Sequence, residues 1–310
     1  MNNPLNIRQI IWSEFRSYEQ AFADALQTDN QLLAQVLDYV HAKRGKQLRP
    51  ILVLLSAALC RGITDKTIQT AVALELMHTA SLIHDDVVDD TPIRRGSNAV
   101  HTQWTNKVAI LVGDYMLTRV MQILTDLRNT TILNIVSQMG ASLTSGELLQ
   151  LHSGQSMWIS EKQYNQIIQQ KTACLFAACS EAGGASTGAT SRQMTALKHF
   201  GLHLGMCFQL KDDVLDYSDL EDIGKPTMND LRDGKATLPL LISLHRATKE
   251  EAAQVREMAE ALAAQSPHID VFETEQDIKA FVLRYDGIRY AYQQMEYHRK
   301  KAIAALNIFP

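Results

Sequence analysis

The chain has 310 residues, 46% of them hydrophobic and 21% charged, a globular composition that excludes disorder. Thirty basic and thirty-four acidic residues leave a net charge of −4, too weakly acidic a balance for coating nucleic acid or anionic lipid by bulk charge. Fifteen glycines and seven prolines are too few for a turn-rich all-β chain.

The N-terminal residues carry no basic segment followed by an apolar run, so no signal peptide is expected. Leu32, Leu33, Val36, Leu37 and Val40 form a first helical stripe, and Ile110, Leu111, Tyr115, Met116 and Val120 a second. Between them Gly45-Lys46-Gln47-Leu48-Arg49-Pro50 sets two cations three residues apart before an apolar segment. The longest charge-free stretch, Asn129 to Gly146, is interrupted by Asn, Thr, Ser and Gln and suits a bilayer poorly. A cytoplasmic protein without a transmembrane anchor is the expectation. Cys60, Cys174, Cys179 and Cys207 lack both CxxC and zinc-finger spacing, so they read as reduced, buried thiols. Breaks at Arg61-Gly62, Thr91-Pro92, Gly183-Gly184, Gly224-Lys225-Pro226 and Pro267 separate helix-length segments, and no linker divides the chain. The expectation is one all-α domain over 1–310, with ten or more helices.

Leu74 to Asp90 reads LELMHTASLIHDDVVDD. Asp85 and Asp89, four apart, emerge from one helical face, where like charges cost about 0.2–0.5 kcal/mol. Thr91-Pro92 ends the helix just beyond, so the carboxylates also crowd the negative end of its dipole. The pattern recurs in FQLKDDVLD, with Asp212, Asp213 and Asp216, before Gly224 and Pro226. A single acidic cluster is usually a solvated face. Two copies of DDxxD, each joined to an apolar run, point instead to bound divalent cations. Oxygen donors favour magnesium over zinc, and magnesium commonly bridges one or two carboxylates to a substrate phosphate.

Cations answer these clusters. Arg94-Arg95-Gly96 follows the first directly, Lys225 and Lys235 follow the second, and Lys171-Thr172 precedes CLFAACS. Arginine grips phosphate bidentately and lysine acts as a mobile point charge. No Walker A or dinucleotide fingerprint is present. His78 lies seven residues before Asp85, almost on the same face, and the small Ala80 and Ser81 lie five and four before it.

Taken in order, GKQLRP, DDVVD, RRG, KT, FQ, DDVLD and GK resemble the motifs of the trans-isoprenyl diphosphate synthases, from about Gly45 to about Leu241. The resemblance implies an antiparallel helical bundle around a central cavity, with the two aspartate motifs facing each other near its mouth. It implies that Asp85, Asp89 and Asp212 ligate a cluster of three magnesium ions, supported by Asp86, Asp213 and Asp216. Arg94, Lys171, Lys225 and Lys235 resemble the cations for an allylic prenyl diphosphate. Lys46, Arg49, His78 and Arg95 resemble the pocket for isopentenyl diphosphate, and Thr172 and Gln209 help hold the reacting carbons. Ser97-Asn98 stands where many members carry a proline, which leaves that loop's conformation open. A homodimer is also implied.

The implied reaction is ionisation of the allylic carbon–oxygen bond, attack by the double bond of isopentenyl diphosphate, and proton loss, with the released diphosphate as the expected base. Short-chain members place aromatics four or five residues before the first aspartate. Ala80 and Ser81 leave that floor open, with Met77 deeper along the helix, so a product of about six to ten isoprene units is expected, one unit per helical turn of about 5.4 Å. Quinone side chains are the expected use. A class I terpene cyclase shares the first motif, but such enzymes usually replace the second. A regulatory subunit would lack motif aspartates, and none is missing here.

Overall fold

Thr64 starts the helix that carries the first aspartates. Its hydroxyl accepts the Thr67 N–H at 3.3 Å while the Thr67 hydroxyl accepts the Thr64 N–H at 3.1 Å, a reciprocal cap of two otherwise orphaned donors. The helix runs Asp65–Val88, and every residue from Thr70 to Leu76 is buried. A helix apolar on all sides is one surrounded by others, and helices Trp12–Ala25, Leu48–Ala58 and Asn106–Asp126 pack against it.

The computed structural model describes residues 7–153, 157–218 and 227–310. Among them, regular structure is helical except for one small hairpin, as the all-α reading requires. Two compact units divide the chain. One comprises the chain up to Gln138 with Ala178–Lys198 and Ile308–Pro310; the other comprises Met139–Ala177 and His199–Asn307.

In the first unit glycines let helices approach closely. A Cβ on Gly183 would lie 2.4 Å from the Val53 carbonyl oxygen, and one on Gly113 would lie 2.1 Å from His84 Nε2. Thr67 and Ser186 share a hydroxyl hydrogen bond of 2.7 Å nearby. Helix Asn106–Asp126 is long and apolar enough to cross a bilayer, yet it buries Ala109, Val112, Met116, Val120 and Ile123. The second sequence stripe therefore needs correcting. Ile110 and Leu111 are exposed, at 44% and 66%, because the buried face follows the 109–112–116–120–123 spacing of a straight helix. In the first stripe Val36 and Leu37 are buried and Leu32 is exposed.

The hairpin pairs Ile93 with Asn98 and Arg94 with Ser97. Its two central residues, Arg95 and Gly96, have φ of 53° and 73°, the left-handed pair that a tight turn of this kind demands. Ser97-Asn98 forms its return strand, held by a 2.7 Å bond from the Tyr39 hydroxyl to the Asn98 carbonyl.

The second unit has a core of Tyr164, Ile168, Met206, Leu210, Val214 and Leu238, and another around Leu231, Val255, Ile278 and Phe281. Helix Ser191–Asp216, which carries the second aspartates, comes so near the segment before Cys174 that a Cβ on Gly205 would lie 2.5 Å from Ala173 Cα. Cys60, Cys174, Cys179 and Cys207 form no disulfide, and only Cys179 is buried; the other three are half-buried, against the expectation of four buried thiols.

Candidate active site

The end of helix Asp65–Val88 keeps Asp85 and Asp89 in register. The Asp89 N–H donates to the Asp85 carbonyl at 2.8 Å, so the two residues are one turn apart, and the chain leaves the helix through Asp90 at φ 49°. The Thr91 N–H then reaches back to the Asp86 carbonyl at 3.0 Å, closing the helix with a Schellman-type bond. Asp89 is exposed and Asp85 half-buried, whereas Asp86 is buried. Asp86 accepts a bond from Arg94 Nε. Burial pushes the Asp86 carboxyl up, and the Arg94 guanidinium opposes that rise.

Arg94 belongs to the hairpin just described, and its neighbour Arg95 lies against Gly45. A Cβ there would meet the Arg95 Cζ at 2.8 Å, and Arg95 Nη1 donates to the Lys43 carbonyl at 3.2 Å. The GKQLRP and RRG segments, far apart in sequence, are thus in contact. His78 is buried close by. Burial first, then the charges of Arg49, Arg95 and Arg94, hold its imidazole well below the ordinary histidine range, in the neutral form. Lys46 is exposed and Arg49 half-buried. Of the residues implied for product length, Ala80 is fully buried, while Ser81 and Met77 are half-buried. The Ser81 hydroxyl donates to the His78 carbonyl at 2.9 Å.

In the second unit a cavity of about 200 Å³ gathers Lys171, Thr172, Gln209, Asp213, Asp230 and Lys235. A π-helical turn at Gln169–Ala173 interrupts the helical path and carries Lys171 and Thr172, a deviation that recurs at functional sites. Lys171 Nζ lies 2.6 Å from Glu147 Oε2 and donates to Gln150 Oε1 at 3.2 Å. A polar chain continues from the Thr172 hydroxyl to Gln209 Oε1 at 2.9 Å, from Gln209 Nε2 to Asp213 Oδ1 at 2.8 Å, and from the Tyr164 hydroxyl to Asp213 Oδ2.

The second aspartates occupy distinct surroundings. Asp212 is exposed and Asp213 buried. Burial pushes Asp213 up to about 6 against the hydrogen bonds from Tyr164 and Gln209. Asp216 accepts the backbone N–H groups of Asn229 and Asp230 at 3.0 and 3.1 Å, pinning the returning chain beneath the helix end. Burial, reinforced by Asp213 and Asp216, pushes Asp230 up to about 8.

Each unit therefore brings its share of the expected residues together: Asp86, Arg94, Arg95, Arg49 and His78 in the first, and Lys171, Thr172, Gln209, Asp213 and Lys235 in the second. Lys225 lies outside the described residues, as do Gly224 and Pro226. Sequence reasoning missed Glu75, Glu147 and Asp230. Glu147 is the charge that ends the neutral run from Asn129 to Gly146, and that isolation was the signal that could have found it. Asp230 lies on the short helix Asn229–Arg232, where no repeat or spacing in the sequence sets it apart, and Glu75 is hidden in an apolar helix.

The sequence profile of the polyprenyl synthetase family matches residues 30–273. The octaprenyl diphosphate synthase of Escherichia coli K12 is 33% identical over 305 residues, covering 98% of this chain and 92% of that one. Among solved structures, a decaprenyl diphosphate synthase from Rhodobacter capsulatus superposes with a TM-score of 0.90 at 30% identity, covering 98% of this chain and 92% of the other. A polyprenyl synthase from Caulobacter crescentus CB15, complexed with calcium and isoprenyl diphosphate, gives 0.88 at 33% identity, covering 98% and 91%. With a profile match over most of its length and relatives this similar end to end, the chain belongs to the polyprenyl synthetase family.

Proposed function

We propose that the protein condenses isopentenyl diphosphate head-to-tail with an allylic prenyl diphosphate, repeatedly, to make a long all-trans polyprenyl diphosphate of about six to ten isoprene units. The observation that carries this reading is the convergence of Lys171, Thr172, Gln209, Asp213 and Lys235 on one cavity. Two ammonium groups, amide and hydroxyl donors and a carboxylate form a lining suited to a metal-complexed diphosphate.

Asp85, Asp89 and Asp212 are the proposed magnesium ligands, three ions in all, with Asp86, Asp213 and Asp216 supporting them. The donor set fits: it is all oxygen, and Asp89 and Asp212 are exposed. Magnesium commonly completes its shell with substrate phosphate and water. When bound, magnesium supplies Lewis-acid stabilisation of the departing diphosphate oxygens.

The chain's own groups do the rest. Arg94, Lys171, Lys235 and Lys225 bind the allylic diphosphate and offset its growing charge as the carbon–oxygen bond breaks. Lys46, Arg49, Arg95 and the neutral His78 bind isopentenyl diphosphate and fix its double bond against the allylic carbon. Thr172 and Gln209, already hydrogen-bonded to one another, border the reacting carbons, and the released diphosphate accepts the final proton. Small side chains at Ala80 and Ser81 leave room for the growing chain, whose destination is the side chain of a quinone.

A cytoplasmic homodimer completes the reading. Ile110, Leu111 and Met121, exposed at 44%, 66% and 65% on helix Asn106–Asp126, supply an apolar face for a second copy. The deciding experiment incubates the purified chain with magnesium, isopentenyl diphosphate and geranyl, farnesyl or geranylgeranyl diphosphate, followed by chromatography of the products. Long prenyl alcohols after dephosphorylation are expected. Hydrocarbon formed without isopentenyl diphosphate would identify a cyclase instead, and no turnover would point to a missing partner subunit.

A further inference from the structure

Glu75 is a buried charge to which the proposed chemistry gives no task. It lies three residues before His78 on helix Asp65–Val88, on the arginine-facing side of the helix, and is 5% exposed. Burial pushes its carboxyl up, and Arg49, Arg95 and Arg44 oppose that rise, in that order. Arg49 and Arg95 are also the leading charges acting on His78. The carboxylate and the imidazole thus face the same two guanidinium groups.

The surroundings of Glu75 are unusual for a core. Glu75 Oε2 and Arg44 Nη1 are buried with no hydrogen-bond partner among the described residues, and the Tyr18 hydroxyl, next to Gln47, is buried within reach of both charges. Glu75 and Arg95 also line a cavity of about 60 Å³ with Arg44, Arg94 and Asp86. The two segments that supply the arginines are each held in a left-handed backbone conformation at a non-glycine residue, Gln47 at φ 52° and Arg95 at φ 53°. Such conformations persist where surrounding contacts over-determine them, and they cluster at ligand sites. A helix selected for packing alone would carry an aliphatic residue at this position, since a buried carboxylate is costly unless opposite charge faces it.

We propose that Glu75 is a positioning residue for the isopentenyl diphosphate pocket, a fixed counter-charge that holds Arg44, Arg49 and Arg95 convergent before the substrate arrives. The inference rests on the prenyltransferase reading. Three guanidinium groups drawn toward one place repel one another. An anion beneath them permits the gathering, and the incoming diphosphate then completes it from the other side. Glu75 touches no substrate; it acts through the arginines.

Positioning and simple charge balance predict opposite effects of removing the carboxylate. If Glu75 only diluted the positive potential, Glu75→Gln would tighten isopentenyl diphosphate binding. As a positioning residue, its loss should scatter the arginines and weaken binding. Steady-state kinetics on the full-length protein, varying each substrate in turn with farnesyl diphosphate as the allylic partner, separate the two. The expected result for Glu75→Gln is a KM for isopentenyl diphosphate raised about tenfold, a KM for farnesyl diphosphate within about twofold of the parent, and substantial recovery in Glu75→Asp. A KM for isopentenyl diphosphate that is unchanged or lowered overturns the inference, as does an equal rise in both KM values. Should Glu75→Gln fail to fold, Gln47→Ala and Arg44→Gln report on the same arrangement. Raised KM for isopentenyl diphosphate alone supports it, and unchanged KM in both overturns it. Absence of condensation by the parent protein would sink the prenyltransferase reading itself, a separate outcome.

Discussion

Lys171 Nζ lies 2.6 Å from Glu147 Oε2, so the cation proposed to grip the allylic diphosphate already holds a carboxylate. The second Glu147 oxygen is buried with no hydrogen-bond partner among the described residues. Glu147→Gln removes the charge that orients the lysine and leaves it with Gln150. The expected result is a kcat/KM for the allylic substrate lowered about tenfold, with the KM for isopentenyl diphosphate unchanged. Unchanged allylic kinetics would make the pair a bystander.

Product length gives a sharper prediction at Ser81 than at Ala80. Ser81 is half-buried, whereas Ala80 is fully enclosed. Ser81→Phe should therefore shorten the product with little loss of stability. Ala80→Phe should cost about 1–3 kcal/mol through overpacking as well. Product chromatography and thermal melts check the two effects separately.

Gly113 admits the ring of His84, the residue directly before Asp85. Gly113→Ala would bring a methyl group 2.1 Å from His84 Nε2, and the ring also hydrogen-bonds the Ile110 carbonyl at 3.1 Å. A loss of about 1–3 kcal/mol is expected, together with reduced turnover as the aspartate end of the helix shifts. A melting temperature and a kcat equal to the parent's would contradict this.

His203 and His298 meet through their Nδ1 atoms at 2.9 Å. Burial first, then the neighbouring His203, lowers His298 to about 4, and burial lowers His203 as well. The unfolded chain thus binds more protons than the folded one between the ordinary histidine range and about pH 4. This contribution to stability is intact above about pH 6.5 and is lost as pH falls toward about 4. His298→Gln should show a smaller drop in melting temperature between about pH 7 and about pH 5 than the parent, by a few degrees. Equal drops would refute the assignment.

What could be read from the chain alone was what repeats or breaks a local rule. The aspartates at Asp85 and Asp89 did so, since like charges at a helix end are unfavourable, and the i to i+4 spacing survives as a direct backbone bond. Glu75 was invisible because its meaning depends on Arg44, Arg49 and Arg95, which arrive from two other segments. The hairpin was invisible for a different reason. Arg95 occupies a left-handed position where asparagine or aspartate would have signalled the turn. Ile110 and Leu111 read as core because hydrophobicity marks what prefers burial, while the phase of the helix decides which residues receive it.

The π-helical turn at Gln169–Ala173 has a consequence for how this scaffold can change. An inserted residue winds everything beyond it by about 100° relative to a regular coil, so Glu161–Ile168 and Cys174–Ser186 are phased independently while remaining almost continuous. The turn works as a joint between two rods. Lineages could retune the rim on one side without disturbing the packing beyond it, whereas losing one residue from the joint would rotate the lysine and threonine out of alignment together.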